Sequence, residues 1–244
     1  MATIGANLQA VRKRIADAAT ACGRNPDAIG LIAVSKTFGA DAIAAARSLG
    51  QYAFGESYAQ EGIAKIAAAA DPALESLEWH FIGPVQSNKT RMIAEQFDWV
   101  HSIDRLKIAQ RLSAARPVGL APLQVCIQVN TGAEHSKSGV AAGEALALAR
   151  AVAALPRLKL RGLMAIPPAS PDGAQQRRYF AQLRQLKDAL ASAGVALDTL
   201  SMGMSDDFEA AIAEGATLVR VGAAIFGPRP KASATEDPEK PVES

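Results

Sequence analysis

Cysteine is scarce in this chain: Cys22 and Cys126 are the two present, far apart and in unlike contexts, one near a helix end and one inside a strand-like run. That pattern excludes a disulfide framework and suits free thiols in a reducing compartment. No apolar run reaches membrane-spanning length, and Met1 to Ala10 lacks the basic-then-apolar order of a signal peptide, so a cytoplasmic location is expected. An excess of one charge is missing as well. The 26 basic and 24 acidic residues are spread along the chain for a formal charge of +2, which leaves no electrostatic footprint for nucleic acid or an anionic membrane. The three histidines, His80, His101 and His135, show no short metal-ligand spacing with one another or with the cysteines. There is no G-x-S-x-G elbow, no Walker loop and no G-x-G-x-x-G turn after the first strand, so hydrolase, NTPase and dinucleotide-binding readings lack their anchors. These exclusions leave a small molecule as the expected partner.

What is present is enough apolar residue, 49% of 244 positions, to fill the core of one large α/β domain. At the N-terminus Ile4, Leu8, Val11 and Ile15 share a helical face beside Arg12, Lys13 and Arg14, and Gly23 ends the pattern; this reads as an amphipathic lid helix. Apolar, β-rich runs then recur near 30–36, 51–56, 78–83, 98–103, 122–130, 158–166, 198–203 and 217–222. Ala-rich helical stretches separate them, among them Ala40 to Leu49, Asn88 to Gln96, Glu144 to Leu155 and Ala174 to Ala193, the last with Phe180, Leu183, Leu186 and Leu190 as its stripe. Strict alternation predicts a parallel sheet covered by helices, and eight units predict closure into a (β/α)8 barrel, with a doubly wound open sheet as competitor. The barrel is expected to occupy residues 1–228. The proline-rich, aperiodic segment 229–244 reads as a disordered tail.

Lys36 closes the run Ile29-Gly-Leu-Ile-Ala-Val-Ser-Lys36, placing an amine at the C-terminal end of the first strand, where α/β barrels keep their chemistry. Apolar walls disfavour its charged form and raise its nucleophilic fraction, so it suits Schiff-base chemistry; a strand-end lysine that snorkels to water is the plain alternative. After the seventh strand, Ser201-Met-Gly-Met-Ser205-Asp-Asp-Phe-Glu209 offers Gly203 for close backbone approach, with Ser205 or Asp206 to cap the next helix. After the eighth comes Arg220-Val-Gly-Ala-Ala-Ile-Phe-Gly227. Loops at these two places often cradle a phosphate. Arg220 shares a strand face with Gly222 and points either at a ligand or at a barrel carboxylate such as Glu56. His80 reads as a core histidine of the third strand, and Lys137 as a second amine near the mouth.

Several ordered motifs then bear a resemblance. Ala33-Val-Ser-Lys-Thr37, Phe54-Gly-Glu-Ser-Tyr-Ala-Gln-Glu61, Trp79-His-Phe-Ile-Gly83 with Gln86 and Asn88-Lys89, Ser136-Lys-Ser-Gly139, Gly162-Leu-Met-Ala-Ile166, Leu200 to Phe208 and Val219-Arg-Val-Gly222 together resemble the pyridoxal phosphate homeostasis proteins, single-domain relatives of the alanine racemase N-terminal barrel. The resemblance spans Ala2 to Gly227. It implies a fold-type III barrel carrying pyridoxal 5'-phosphate (PLP) as a Schiff base on Lys36, with Ser201 and the backbone of Gly222 and Ala223 on the phosphate. Arg220 would face the pyridine nitrogen, and Met164 and the Ser57 region would line the ring. A permanently charged arginine at that nitrogen disfavours its protonation, so the ring stabilises a carbanion poorly. Ser57 and Ala223 depart from the Asn and Thr or Ser usual at these positions, and a lost hydroxyl at 223 costs about 1–2 kcal/mol of phosphate binding.

The expected function is therefore PLP binding and homeostasis without turnover, with PLP-dependent apoenzymes as possible acceptors, no nucleic acid or membrane partner, and a monomeric state. Two alternatives share the barrel. An amino-acid racemase would need a second base on the opposite face of the substrate, which full-length racemases take from an added β-domain; Tyr58 is the nearest tyrosine to the mouth. A cofactor-free Schiff-base aldolase would use Lys36 directly, with Glu56 to move protons.

Overall fold

In the computed structural model, which describes residues 3–69, 77–132 and 138–228, eight parallel strands close into a barrel in sequence order. They are β1 (Gly30–Val34), β2 (Ala53–Glu56), β3 (Glu78–Phe81), β4 (Trp99–Ile103), β5 (Leu123–Gln128), β6 (Leu158–Met164), β7 (Thr199–Ser201) and β8 (Leu218–Val221). Every strand run read from the sequence holds one of them, and the open-sheet competitor falls because β1 pairs with β8, Gly30 against Leu218 through Ala33 against Val221. The observed strands are shorter than the apolar runs, most of which continue into the loop at the C-terminal mouth, while those of β2 and β4 begin before their strands.

Helices α2 (Ala40–Arg47), α3 (Ala59–Ala69), α4 (Thr90–Gln96), α5 (Leu106–Ala115), α6 (Ala145–Ala153), α7 (Gly173–Ser192) and α8 (Phe208–Ala213) form the outer layer, and a four-residue helix, α9 (Ala223–Phe226), follows β8. The core divides accordingly. One cluster lies between sheet and helices, where Phe54, Trp79, Phe81 and Phe97 pack together. A smaller one joins Trp99, Cys126 and Met164, with Leu218 against it, from strands that are not all neighbours, so these side chains meet inside the barrel. Alternation along β3 follows from this: Trp79 and Phe81 face the helices, and His80 between them faces inward.

The N-terminal helix α1 (Ile4–Ala21) forms where its stripe predicts, capped by Thr3, whose hydroxyl accepts from the Ala6 N–H at 3.2 Å, and ended by Gly23 at φ 71°. It is not a lid. It packs between α8 and α2 and against α9, the slot an eighth outer helix would fill, because α9 is too short to cover β8 and β1. Asn7 donates to the Ile225 carbonyl at 2.9 Å, and Arg24 donates to the Ile212 and Ala216 carbonyls at 2.7 Å, which ties α1 to the last βα unit. Leu8→Ala, which empties a fully buried contact on this stripe, is expected to lower unfolding free energy by about 2–4 kcal/mol in urea titrations, whereas Lys13→Ala on the exposed face should change it by less than about 0.5 kcal/mol.

Candidate functional site

Parallel strands deliver all their C-terminal ends to one mouth, and the β1–β8 pairing puts Lys36 beside the segment Arg220 to Ala223. Lys36 follows buried Ser35 in the turn after β1 and is half-buried. The backbone on either side of it is anchored to α3. Buried Lys65 donates to the Ser35 carbonyl at 2.7 Å, and the Thr37 N–H donates to Glu61 at 2.6 Å, with Thr37 held at φ 69° in the left-handed region that a β-branched residue rarely enters. The Lys65 ammonium also bridges Glu56 at 2.8 Å and Glu61 at 2.5 Å, and the Ser35 hydroxyl donates to Glu56 at 2.6 Å. Two carboxylates thus share one buried ammonium. Burial pushes the Glu56 carboxyl up, against the pull of Lys65 and Ser35, and its Oε2 is buried with no hydrogen-bond partner among the described residues. Glu56 therefore pairs with Lys65, and not with Arg220 as the sequence allowed.

Arg220 instead sits inside the barrel, donating to Ser201 Oγ at 2.7 Å and to the Ala165 carbonyl at 3.0 Å. Burial lowers its pKa to about 10, opposed by Asp207 and Cys126, so it is still charged at neutral pH. Ser201 is fully buried, and its hydroxyl also meets His101 Nδ1 at 2.8 Å, so it is engaged from both sides. Gly222 lies against β1, where a Cβ would come 3.2 Å from the Val34 carbonyl oxygen, and Ala223 is exposed at the start of α9. The first turn of a helix leaves backbone N–H groups without intrahelical acceptors, which gives this corner the donors an anion needs. Ser205 Oγ stands 3.4 Å from the Ala224 N–H at the same corner. Neither Ser205 nor Asp206 caps α8: Asp207 holds that position, and its carboxylate accepts from the Met204 N–H at 2.6 Å, closing the loop around Gly203 at φ 94°.

Met164 ends β6 fully buried in the inner cluster, and Ser57 is half-buried just past β2, its carbonyl so close to Gly83 that a Cβ there would fall 2.1 Å from it. The structure thus places Lys36, Gly222 and Ala223 just past the ends of the paired strands β1 and β8, joins Arg220 to Ser201 inside the barrel, and puts Met164 at the end of β6 and Ser57 just past β2. Lys137 and His135 lie outside the described residues. Among those described, no group of three or more His, Cys, Asp or Glu side chains is placed to hold a metal, and no helix is long and apolar enough to cross a membrane. Burial pushes the Cys126 thiol up to about 12, so it stays protonated.

Two features escaped the sequence. Lys65 stands four residues after Glu61 on an Ala-rich helix, a spacing that signals an ion pair but not its burial under Lys36. His80 and His101 lie on inward positions of adjacent strands, 3.0 Å apart, and no linear spacing shows that.

Fold and site together define a (β/α)8 barrel of the alanine racemase N-terminal type; the family model described as alanine racemase, N-terminal domain, matches residues 6–230. Within that class the chain belongs to the pyridoxal phosphate homeostasis protein family. The protein of that name from Pseudomonas aeruginosa is 58% identical over 229 residues, covering 94% of this chain and 97% of the relative. That of Escherichia coli K12 is 55% identical over 234 residues, covering 94% and 98%. The solved structure of PipY from Synechococcus elongatus PCC7942, with PLP bound, superposes with a TM-score of 0.79 at 37% identity, over 92% of this chain and all (100%) of that one.

Removing the ammonium alone leaves the buried Glu56 carboxylate unpaired beside the half-buried Glu61, so Lys65→Met is expected to destabilise the fold by about 3–5 kcal/mol at pH 7.5. The folded-state pKa of Glu56 lies above its ordinary value of 4.5, so proton uptake favours the folded protein. The deficit of the variant should accordingly shrink as pH falls toward 4.5, read from urea titrations across that range; a deficit constant with pH would contradict the assignment.

Proposed function

We propose that this chain binds PLP at the C-terminal mouth of the barrel, holds it on Lys36, and takes part in PLP homeostasis by carrying and releasing the cofactor rather than turning over a substrate with it. The observation that carries this reading is the closure of β1 on β8, which sets the one amine at the end of β1 beside Arg220, Gly222 and Ala223. The donor set fits the group: an amine for its aldehyde, helix-start N–H groups beside a glycine whose missing Cβ keeps the backbone against β1 for its phosphate, and a buried guanidinium below. When bound, PLP supplies an aldehyde and a heteroaromatic ring that can accept electrons.

The residues of this chain divide the work. Lys36 holds the aldehyde carbon, and the Lys65–Glu61 anchor fixes the backbone on both sides of it. Gly222 and Ala223 take the phosphate through backbone N–H groups, with the Ser205 hydroxyl at the same corner. Ser201, which the resemblance puts on the phosphate, acts by fixing Arg220, and Arg220 keeps a positive charge where a pyridine nitrogen would otherwise be protonated. Met164 and Ser57 bound the ring. Glu56 is bound to Lys65 and Ser35, which leaves the aldolase reading without its proton carrier, and Tyr58 is exposed past β2, which leaves the racemase reading without a held second base. In this reading residues 1–228 form a monomeric cytoplasmic barrel that passes PLP to PLP-dependent apoenzymes.

The purified protein should absorb in the visible, and borohydride reduction followed by peptide mass spectrometry should place a pyridoxyl adduct on Lys36. A colourless protein left unmodified after incubation with PLP would contradict the proposal. Ala223→Thr restores a hydroxyl at the helix start and should tighten PLP binding roughly tenfold in fluorescence titrations.

A further inference from the structure

A polar line crosses the barrel interior from one mouth to the other. Glu78, the first residue of β3, lies at the N-terminal mouth with its side chain 46% exposed, and its Oε2 is 3.4 Å from His80 Nε2. His80 Nδ1 is 3.0 Å from His101 Nε2, and His101 Nδ1 is 2.8 Å from Ser201 Oγ, which accepts from Arg220 at 2.7 Å. The His101–Ser201 contact joins β4 to β7, which are not neighbours, so it spans the interior. Both imidazoles, Ser201 and Arg220 are buried, and His80 Nε2 has no partner at hydrogen-bond geometry among the described residues, leaving the Glu78 carboxylate as the acceptor it faces. The charged and titratable groups around the line are Glu78 on the same strand, Asp98 just before β4, Cys126 on β5, Arg161 on β6 and Arg220 on β8, with Asp207 acting on Arg220 from the loop after β7.

Each contact in this line holds one hydrogen, which leaves few arrangements. Burial first, then His80 and Arg220, drive the pKa of His101 well below that of a free imidazole, so its ring is neutral and carries one N–H. With Ser201 donating to His101 Nδ1, that N–H sits on Nε2 and donates to His80 Nδ1, and the His80 N–H points to Glu78. With His80 doubly protonated, His80 donates from both nitrogens. His101 must then carry its hydrogen on Nδ1 and donate to Ser201, whose own hydrogen turns away from the line.

We propose that His80, His101 and Ser201 form a proton relay between the Arg220 end of the site and Glu78 at the opposite mouth. A proton delivered to Ser201 Oγ forms a new O–H bond there as the old Ser201 O–H hydrogen passes to His101 Nδ1. The His101 Nε2 hydrogen passes to His80 Nδ1. Each atom in between gains one proton and loses one, no heavy atom moves, and the charge ends as an imidazolium facing the Glu78 carboxylate. The proposal rests on the PLP reading for its purpose: at the Arg220 end the proton is that of a pyridine nitrogen, and the relay gives it a way out to solvent at the far mouth. Arg220 sets the equilibrium that leaves the carried ring unprotonated and so unreactive toward amino-acid substrates, and the relay supplies only the path by which the proton leaves. His80 and His101 are positioning residues in this account.

The test is a pH titration of 15N-histidine-labelled full-length protein, PLP-loaded and PLP-free, following both ring nitrogens of His101 by two-bond 1H–15N correlation. The relay predicts that His101 stays neutral throughout but changes from the Nε2–H tautomer at high pH to Nδ1–H at low pH in both forms. In Glu78→Gln the change should occur at a lower pH, because the carboxylate that favours the charged end is gone. A single His101 tautomer across the titration, in either form of the wild-type protein, overturns the proposal, as does a Glu78→Gln change at an unaltered pH. Failure of the PLP reading is separate, since it would leave the tautomer change in the untreated chain but give no borohydride-stable adduct.

Discussion

The pairing of β1 with β8 is the constraint on which this molecule's site depends. Neither strand carries enough chemistry alone: β1 ends in one lysine, and β8 ends in an arginine, a glycine and a four-residue helix. Their hydrogen-bonded register from Gly30 and Leu218 onward fixes how far each projects at the mouth: Gly222 lies against Val34, and Lys36 follows in the turn just beyond it. Gly222 is where that closeness is felt, since a side chain there would press on the Val34 carbonyl, and the two strand ends would have to part. The outer layer serves the same seam. With α9 too short to cover it, α1 occupies the missing helix's slot and hydrogen-bonds through Asn7 to α9, so the N-terminal segment, distant in sequence, holds the proposed phosphate corner in place.

Charge is arranged around the seam in two separate buried systems. On one side the Glu56–Lys65–Glu61 group grips the backbone about Lys36 and carries more carboxylate than ammonium. Burying such a group adds little stability in itself, because desolvation offsets the attraction. What it contributes is position: Ser35 and Thr37 are both tied to α3, and a threonine is kept at positive φ. On the other side Arg220 is satisfied by Ser201 and Ala165, a neutral set of acceptors, and the carboxylate of Asp207 acts on its charge only from the loop after β7. A carboxylate there would have cancelled the positive field that holds a ring nitrogen unprotonated. The proposed carriage of a reactive cofactor without turnover has a physical basis in that choice.

Most of the fold was legible because the barrel writes itself in local pattern. Apolar runs of strand length alternate with helical stripes such as that of Phe180, Leu183 and Leu190, and the count of eight gives closure. The places of Lys36, Arg220 and Gly222 at the mouth were legible for a related reason: parallel strands deliver their C-terminal ends to one face. What local pattern does not carry is which inward residues meet. Glu56 was left between partners, and the choice of Lys65 depends on how α3 rolls against β2. Nor does local pattern show that the Ser201 hydroxyl, placed on the phosphate by the resemblance, lies between His101 and Arg220. The lid assigned to α1 failed because amphipathicity reports that a face is buried and not which surface buries it.

The most direct test of the account is a crystal structure of the PLP-loaded protein. It predicts continuous density from Lys36 Nζ into the pyridoxyl ring, the phosphate on the backbone of Gly222 and Ala223, and the ring nitrogen within hydrogen-bond reach of Arg220. Density for the ring on another lysine, or a phosphate bound away from the start of α9, would contradict the claim that the β1–β8 seam is the binding site.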